Sequence, residues 1–224
     1  MSRRVVSPRY QQRRQSGWRS ILPFIIVVVV AVVLIVILIS GSLAKPTTPI
    51  DTEREKTSLG NASAPVQVVE FGDYQCPACG SFYVNLEPTL VQNYVNPGKV
   101  YFTFIPFSFI GPESIRAAEA AYCAMDQNKF WDYHDTLYNN QRGENQGGFS
   151  DANLETFAKN LNLDMTTFKS CFEGNKYQQL VNDNLVTGNS KNVQSTPSFL
   201  VDNKLVYQDS LMATIDAELK AKGK

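Results

Sequence analysis

The sequence predicts an α/β fold in two halves, β-α-β and β-β-α, with a helical insert between them and one transmembrane helix ahead of them. Three observations carry this. Strand patterns at 66–71 and 100–107 flank a helical stretch, and two more short strands and a helix close the chain. Amphipathic segments fill the interval from about 112 to 187. An uncharged apolar run, Ile21 to Ile39, precedes all of it.

That run reads ILPFIIVVVVAVVLIVILI, and as a helix rising about 1.5 Å per residue it is long enough to span a bilayer core. Pro23 falls in its first turn, where a missing N–H costs little. Arg3, Arg4, Arg9, Arg13, Arg14 and Arg19 precede it with no acid among them. The positive-inside bias then keeps 1–20 cytoplasmic, makes 21–43 the anchor and sends the rest outside the cell membrane. The alternative is a cleaved signal peptide, for which Ser42-Leu43-Ala44 offers a small-x-small site; the apolar run is longer than such a segment needs. Residues 44–58, with Pro46 and Pro49 and no strand or helix period, read as a tether.

The body, 59–224, opens with VQVVEF at Val66 to Phe71. A helical stretch follows from Cys76 to about Asn93, with Tyr83, Leu86, Leu90 and Val91 at helical spacing. Pro97-Gly98 is a turn, and VYFTFIPF at Val100 to Phe107 is a strand. A helix joining two strands makes them parallel neighbours. The insert, about 108–192, holds five amphipathic helices at about 112–126, 128–140, 151–161, 164–173 and 175–187. Ser150/Asp151 and Asp164 cap two of them, and Gly188 closes the last. Ser198–Val201 and Leu205–Tyr207 form a hairpin around Asp202-Asn203, and Ser210 caps a final helix carrying Leu211, Ile215 and Leu219.

Composition narrows the function. With 43% hydrophobic and 19% charged residues the chain can bury a sizeable core. Formal charge is zero, but six arginines sit in the first twenty residues, so the body is acidic by the same margin. An acidic body argues against nucleic acid as the partner. One histidine, His134, excludes His-rich metal chemistry.

Cys76-Pro77-Ala78-Cys79 stands where a strand ends and a helix starts. Backbone amides and the helix dipole there stabilise a thiolate on Cys76. Cys79, about one turn on, can attack a mixed disulfide and resolve it. Pro77 suits the first helical turn and stiffens the loop. Zinc would need a second C-x-x-C or nearby histidines, and Cys123 and Cys171 stand singly. A structural disulfide across C-x-x-C would be strained and easily reduced. Redox exchange is the reading that remains strongest, and it implies neither a metal nor a cofactor.

APVQVVEFGDYQCPACG, Ala64 to Gly80, resembles the active-site segment of the DsbA-like branch of the thioredoxin superfamily. Ser195-Thr196-Pro197-Ser198-Phe199-Leu200-Val201 resembles that branch's cis-proline loop. Phe130-Trp131, Leu163-Asp164 and Cys171 resemble its helical insert. The likeness covers roughly 59–222 and implies a thioredoxin-like fold. It also implies roles: Cys76 as nucleophile, Cys79 as resolving thiol, and Thr196 with a cis Pro197 binding substrate backbone. Read without the resemblance, Thr196-Pro197 is only a turn with an ordinary trans peptide. Many DsbA-type oxidases carry histidine just before the second cysteine. This chain has Ala78, which removes one stabiliser of the Cys76 thiolate and makes the disulfide less oxidising.

Glu70 interrupts an apolar strand six residues before Cys76. Burial there raises its pKa and makes it a proton relay for Cys79, and the branch has an acid at the matching place. The plainer alternative is a strand-end glutamate reaching solvent. Cys123 and Cys171 fall near buried faces of the insert; paired, they would close a loop of about 49 residues, worth about 4 kcal/mol. Two free buried thiols are the alternative, less suited to an oxidising compartment. His134 lies on an apolar stripe and reads as a hydrogen-bonded core residue rather than a ligand.

These readings converge on an extracytoplasmic thiol–disulfide oxidoreductase that donates the Cys76–Cys79 disulfide to the thiols of exported proteins. The resemblance implies a quinone-linked membrane partner for reoxidation. Rivals are a reductase or isomerase in the same compartment and, from another class, a non-catalytic module that grips unfolded chains.

Overall fold

The computed structural model describes residues 54–224. The basic tail, the span expected at 21–43 and the tether up to residue 53 lie outside the described residues. Among the described residues no helix is long and apolar enough to cross a membrane.

The strands are β1 (Arg54–Glu55), β2 (Ser58–Leu59), β3 (Val66–Gly72), β4 (Val100–Pro106), β5 (Ser198–Val201) and β6 (Lys204–Tyr207), in the order β1-β2-β4-β3-β5-β6. β3 and β4 are parallel, as a helical crossover requires, and every other pairing is antiparallel. β3 is central, so both its faces are covered and its sequence is apolar almost throughout. Val66 and Val68 face the larger core with Phe102 and Phe104 of β4, while Phe71 packs on the opposite face with Phe107, Val193 and Leu200. Asp202 and Asn203 turn the β5–β6 hairpin with φ of 47° and 68°, the left-handed pair that a two-residue hairpin loop needs.

The first crossover is not one helix. It comprises α1 (Pro77–Asn85), α2 (Glu87–Leu90) and a π-type turn at Val91–Val95. Pro88 has no N–H to continue the ladder and forces the break at Leu86. The insert follows as α3 (Pro112–Met125), α4 (Phe130–Asn139), α5 (Asp151–Asn160), α6 (Met165–Glu173) and α7 (Gln178–Ser190), and α8 (Gln208–Ala221) ends the chain. Small side chains at Ala117, Ala118, Ala120, Ala121 and Ala124 bring α3 close to its neighbours.

Four local expectations change. Gly188 does not end its helix. α7 runs on to Ser190, and a Cβ at Gly188 would come within 2.4 Å of the Phe107 ring, so the glycine permits close packing against β4's end. α8 starts at Gln208, before Ser210, whose hydroxyl instead donates to the Tyr207 carbonyl at 3.2 Å. Ser150 precedes α5 but its side chain makes no cap, whereas Asp164 accepts from Thr167 N at 2.7 Å. Residues 54–59, read as the tether's end and the domain's first residue, add two short strands to the sheet: β2 pairs with β4, with Ser58 and Thr103 hydroxyls 2.8 Å apart, and β1 pairs with β2. Strands of two residues are too short to leave a period in the sequence.

Candidate active site

β3 leads into Asp73, Tyr74 and Gln75, and Cys76 then stands at the N-cap of α1 with Pro77 at the first helical position. Cys76 is 8% exposed and Cys79, one turn further in, is fully buried. Both are thiols. Across from them the Thr196–Pro197 peptide is cis, and Cys76 Sγ donates to the Thr196 carbonyl at 3.3 Å. Chain positions 120 residues apart thus meet at one sulfur.

The two thiols differ sharply. The Cys79 thiol donates to Cys76 and holds its pKa down to about 6, against the effect of burial. The Thr196 side chain and the amides of Cys79 and Ala78 act in the same direction. The Thr196 hydroxyl is buried without another partner, so it is available to a thiolate once Cys76 loses its proton. Cys79 is pushed well above an ordinary thiol, first by burial, then by its bond to Cys76, then by the charge of Glu70. One sulfur is therefore an attacking and leaving group at neutral pH, and the other holds its proton. Ala78 is exposed, and the lowered pKa of Cys76 arises without a histidine there.

Glu70 does not reach solvent. It lies mid-strand opposite Phe104 of β4 and Phe199 of β5, is 1% exposed, and its Oε2 has no hydrogen-bond partner. Burial, then the charges of Glu87 and Cys76, raise its pKa well above the usual carboxylate range. A carboxyl so placed can carry a proton at neutral pH.

Other residues complete the setting. Asp73 is fully buried and accepts from Gln75 N (2.8 Å), Ser114 Oγ (2.6 Å), Phe109 N (3.0 Å) and Ile110 N (3.1 Å). It ties the segment before Cys76 to the loop after β4. Its bond to the amide two residues on is an Asx turn, the one trace of it legible in the sequence. His134 is enclosed by Phe104, Trp131 and Tyr138, with ring centroids 4.6, 4.9 and 4.9 Å away. Its Nδ1 lies 3.4 Å from the Tyr74 hydroxyl, and its Nε2 lies 3.7 Å from Glu87 Oε2. Among the described residues, Glu87, His134 and Asp135 bring three ligand atoms within 4.8 Å of one another. No cysteine belongs to that group, so it lends nothing to a zinc reading of Cys76 and Cys79. Cys123 of α3 and Cys171 of α6 are joined by a disulfide with Cα atoms 5.8 Å apart, away from the reactive pair in sequence and in fold.

A low-pKa thiol at a helix start, a proton-holding thiol one turn inside and a cis-proline loop facing them define a thiol–disulfide oxidoreductase. The thioredoxin family model matches residues 52–221, and the chain belongs to that family, in its DsbA-like branch. It is 36% identical over 170 residues to the probable disulfide bond formation protein D of Bacillus anthracis, covering 73% of this chain and 78% of that one. Against disulfide bond formation protein D of Bacillus subtilis the identity is 32% over 171 residues, covering 73% and 77%. The crystal structure of oxidised BdbD from Bacillus subtilis superposes with a TM-score of 0.68 at 30% identity, over 73% of this chain and 92% of that one.

Proposed function

We propose that the chain is an extracytoplasmic oxidase that donates a Cys76–Cys79 disulfide to the thiols of exported proteins. The asymmetry of the two thiols carries the reading. A substrate thiolate attacks Cys76 Sγ of the oxidised pair, the Cys76–Cys79 bond breaks, and Cys79 leaves and takes up a proton. Glu70, buried beside this pair and inclined to hold a proton, is the relay for that proton. A second substrate thiolate then attacks the substrate sulfur of the mixed disulfide and expels Cys76. Two electrons have passed to the protein and the substrate has gained a disulfide. Expulsion is fast because a sulfur with a pKa of about 6 is a good leaving group. Thr196 and Pro197 offer main chain beside the reacting sulfur and are the place where substrate backbone lies.

Residues 21–43 anchor the protein, with 1–20 cytoplasmic and the catalytic domain outside. The apolar run and its preceding arginines support this. β1 starts at Arg54, so only 44–53 separate the anchor from the sheet. The active site is then held near the bilayer, at raised effective concentration for a quinone-linked membrane partner that reoxidises it.

Refolding of a reduced, disulfide-dependent protein by the full chain tests the reading. The oxidised chain should pass disulfides to it stoichiometrically. A chain that only rescues scrambled disulfides is an isomerase, one that only opens them is a reductase, and either result overturns the proposal. The anchor is tested in cells carrying the full chain and a form released after residue 44. The released form should accumulate reduced Cys76 and Cys79; equal oxidation at matched expression removes the role given to the anchor.

A further inference from the structure

The loop between α4 and α5, residues 140–150, is fastened to the active-site segment at more points than a connection needs. Gln141 Nε2 donates to the Tyr74 carbonyl at 2.7 Å and to the Cys76 carbonyl at 3.1 Å. Its carboxamide rests on Gly80 of α1, where an added Cβ would fall 2.3 Å from Gln141 Oε1. Further along, Asn145 N donates to Gln75 Oε1 at 2.5 Å, and Gln75 Nε2 donates to Ser114 Oγ at 2.8 Å. Glu113, in the first turn of α3, accepts from Gly147 N and Phe149 N, each at 2.7 Å. Gly143 and Gly147, with φ of 91° and 80°, let the chain turn between these attachments.

We propose that Gln141 is a positioning residue for disulfide exchange: seated on Gly80, it fixes the Cys76 carbonyl and so aims the first free amides of α1 at Cys76 Sγ. Pro77 has no N–H, so the amides next in line are those of Ala78 and Cys79. Where they stand relative to Sγ depends on the ψ of Cys76, 121°, which is the orientation of the carbonyl that Gln141 holds. That carbonyl also accepts the first helical bond, from Gly80 N at 3.1 Å. A donor from outside the helix therefore locks the turn in which thiolate stabilisation is built. Gly80 is required because any side chain there displaces the carboxamide. The loop is a strap that reaches from the helical insert to the main chain of the reactive cysteine.

The inference rests on Cys76 being the low-pKa attacking thiol, and the test separates the two. The thiolate absorbance of the reduced full chain is titrated in the wild type, in Gln141→Met, in Gly80→Ala and in the double variant. Gln141→Met keeps the bulk and removes the donor. Gly80→Ala expels the donor while placing a better helix former in α1. Each single variant should raise the Cys76 pKa by about half a unit to one unit and slow its alkylation at acid pH roughly threefold to tenfold. The double variant should go no further than either single, because both remove the same contact. A wild type with a low-pKa Cys76 and a Gln141→Met protein whose titration is unmoved would overturn the inference alone, even if its melting temperature falls. Additive shifts in the double variant would overturn it as well. A low-pKa titration that survives in the Cys76→Ser variant overturns both the inference and the order of attack beneath it.

Discussion

Ala78→His should make the Cys76–Cys79 disulfide more oxidising by about 15 mV at pH 7. Ala78 is exposed in the second position of α1, so an imidazole there has room without repacking. An imidazolium about 5 Å from the sulfur, in a medium with an effective dielectric constant of about 45, attracts the thiolate by about 1.4 kcal/mol, or about one pKa unit. Cys76 would move from about 6 to about 5. A permanent charge would favour the reduced state roughly ninefold at pH 7, but an imidazole of ordinary pKa about 6.5 is mostly neutral beside the disulfide, so the net gain is roughly threefold, and each tenfold gain is about 30 mV for a two-electron couple. The gain has a pH signature. Below about pH 4 both proteins are thiols and the difference should vanish, and it should shrink again once the imidazolium deprotonates at alkaline pH. Equilibration with a glutathione buffer across that range reads the potential, and ultraviolet thiolate absorbance reads the pKa. A lowered pKa with an unchanged or more reducing potential would refute the link from thiolate stability to oxidising power.

The remaining expectations concern the other groups of the site and its frame. Cys76→Ser should abolish exchange, whereas Cys79→Ser should accumulate mixed disulfides, visible as adducts by mass spectrometry; no adduct where the wild type turns over would reverse the assigned order. Glu70→Leu should slow the exchange step by roughly a hundredfold, in line with a lost general acid–base group, yet stabilise the fold. Its folded pKa is raised, so the carboxyl penalises folding above its unfolded pKa and increasingly as pH rises. The stabilisation should therefore be larger at pH 8 than at pH 4, by denaturant melts, and a larger gain at pH 4 would contradict the burial argument. Cys123→Ala with Cys171→Ala opens a loop between residues 48 apart and should cost about 4 kcal/mol while leaving Cys76 reactivity in place.

What could be read from sequence and what could not divide along a physical line. VQVVEF, the C-P-A-C turn and the Asp202-Asn203 hairpin were legible because each is a local pattern with a local cause: pleat, helix start, left-handed turn. Glu70 was legible because a lone carboxylate breaks an apolar strand. Pro88 was legible in principle, since a proline in mid-helix always removes a ladder bond; the apolar spacing on either side of it hid the break. Gly188 was visible as a glycine, but a glycine after a helical run signals an end. Only the Phe107 ring, brought in from β4's far end, makes it an interior contact.

The site itself divides the same way. The groups that exchange electrons and protons lie within ten residues, from Glu70 to Cys79, and a single stretch of sequence displays them. The groups that hold them come from three remote places: the loop and helix start at 108–114, the strap at 140–150, and the Thr196–Pro197 turn. Asp73 and Gln75 look like the polar residues of any turn until Ser114 and Asn145 arrive to bond them. All but the last of those places belong to the helical insert that follows β4. The insert thus supplies donors and acceptors to the active-site loop as well as apolar cover for the sheet. On the role inferred for Gln141, the chemistry of Cys76 is set in part by residues far from the C-P-A-C turn in sequence. Substitutions in the strap should shift thiol reactivity while leaving the C-P-A-C sequence and the sheet untouched.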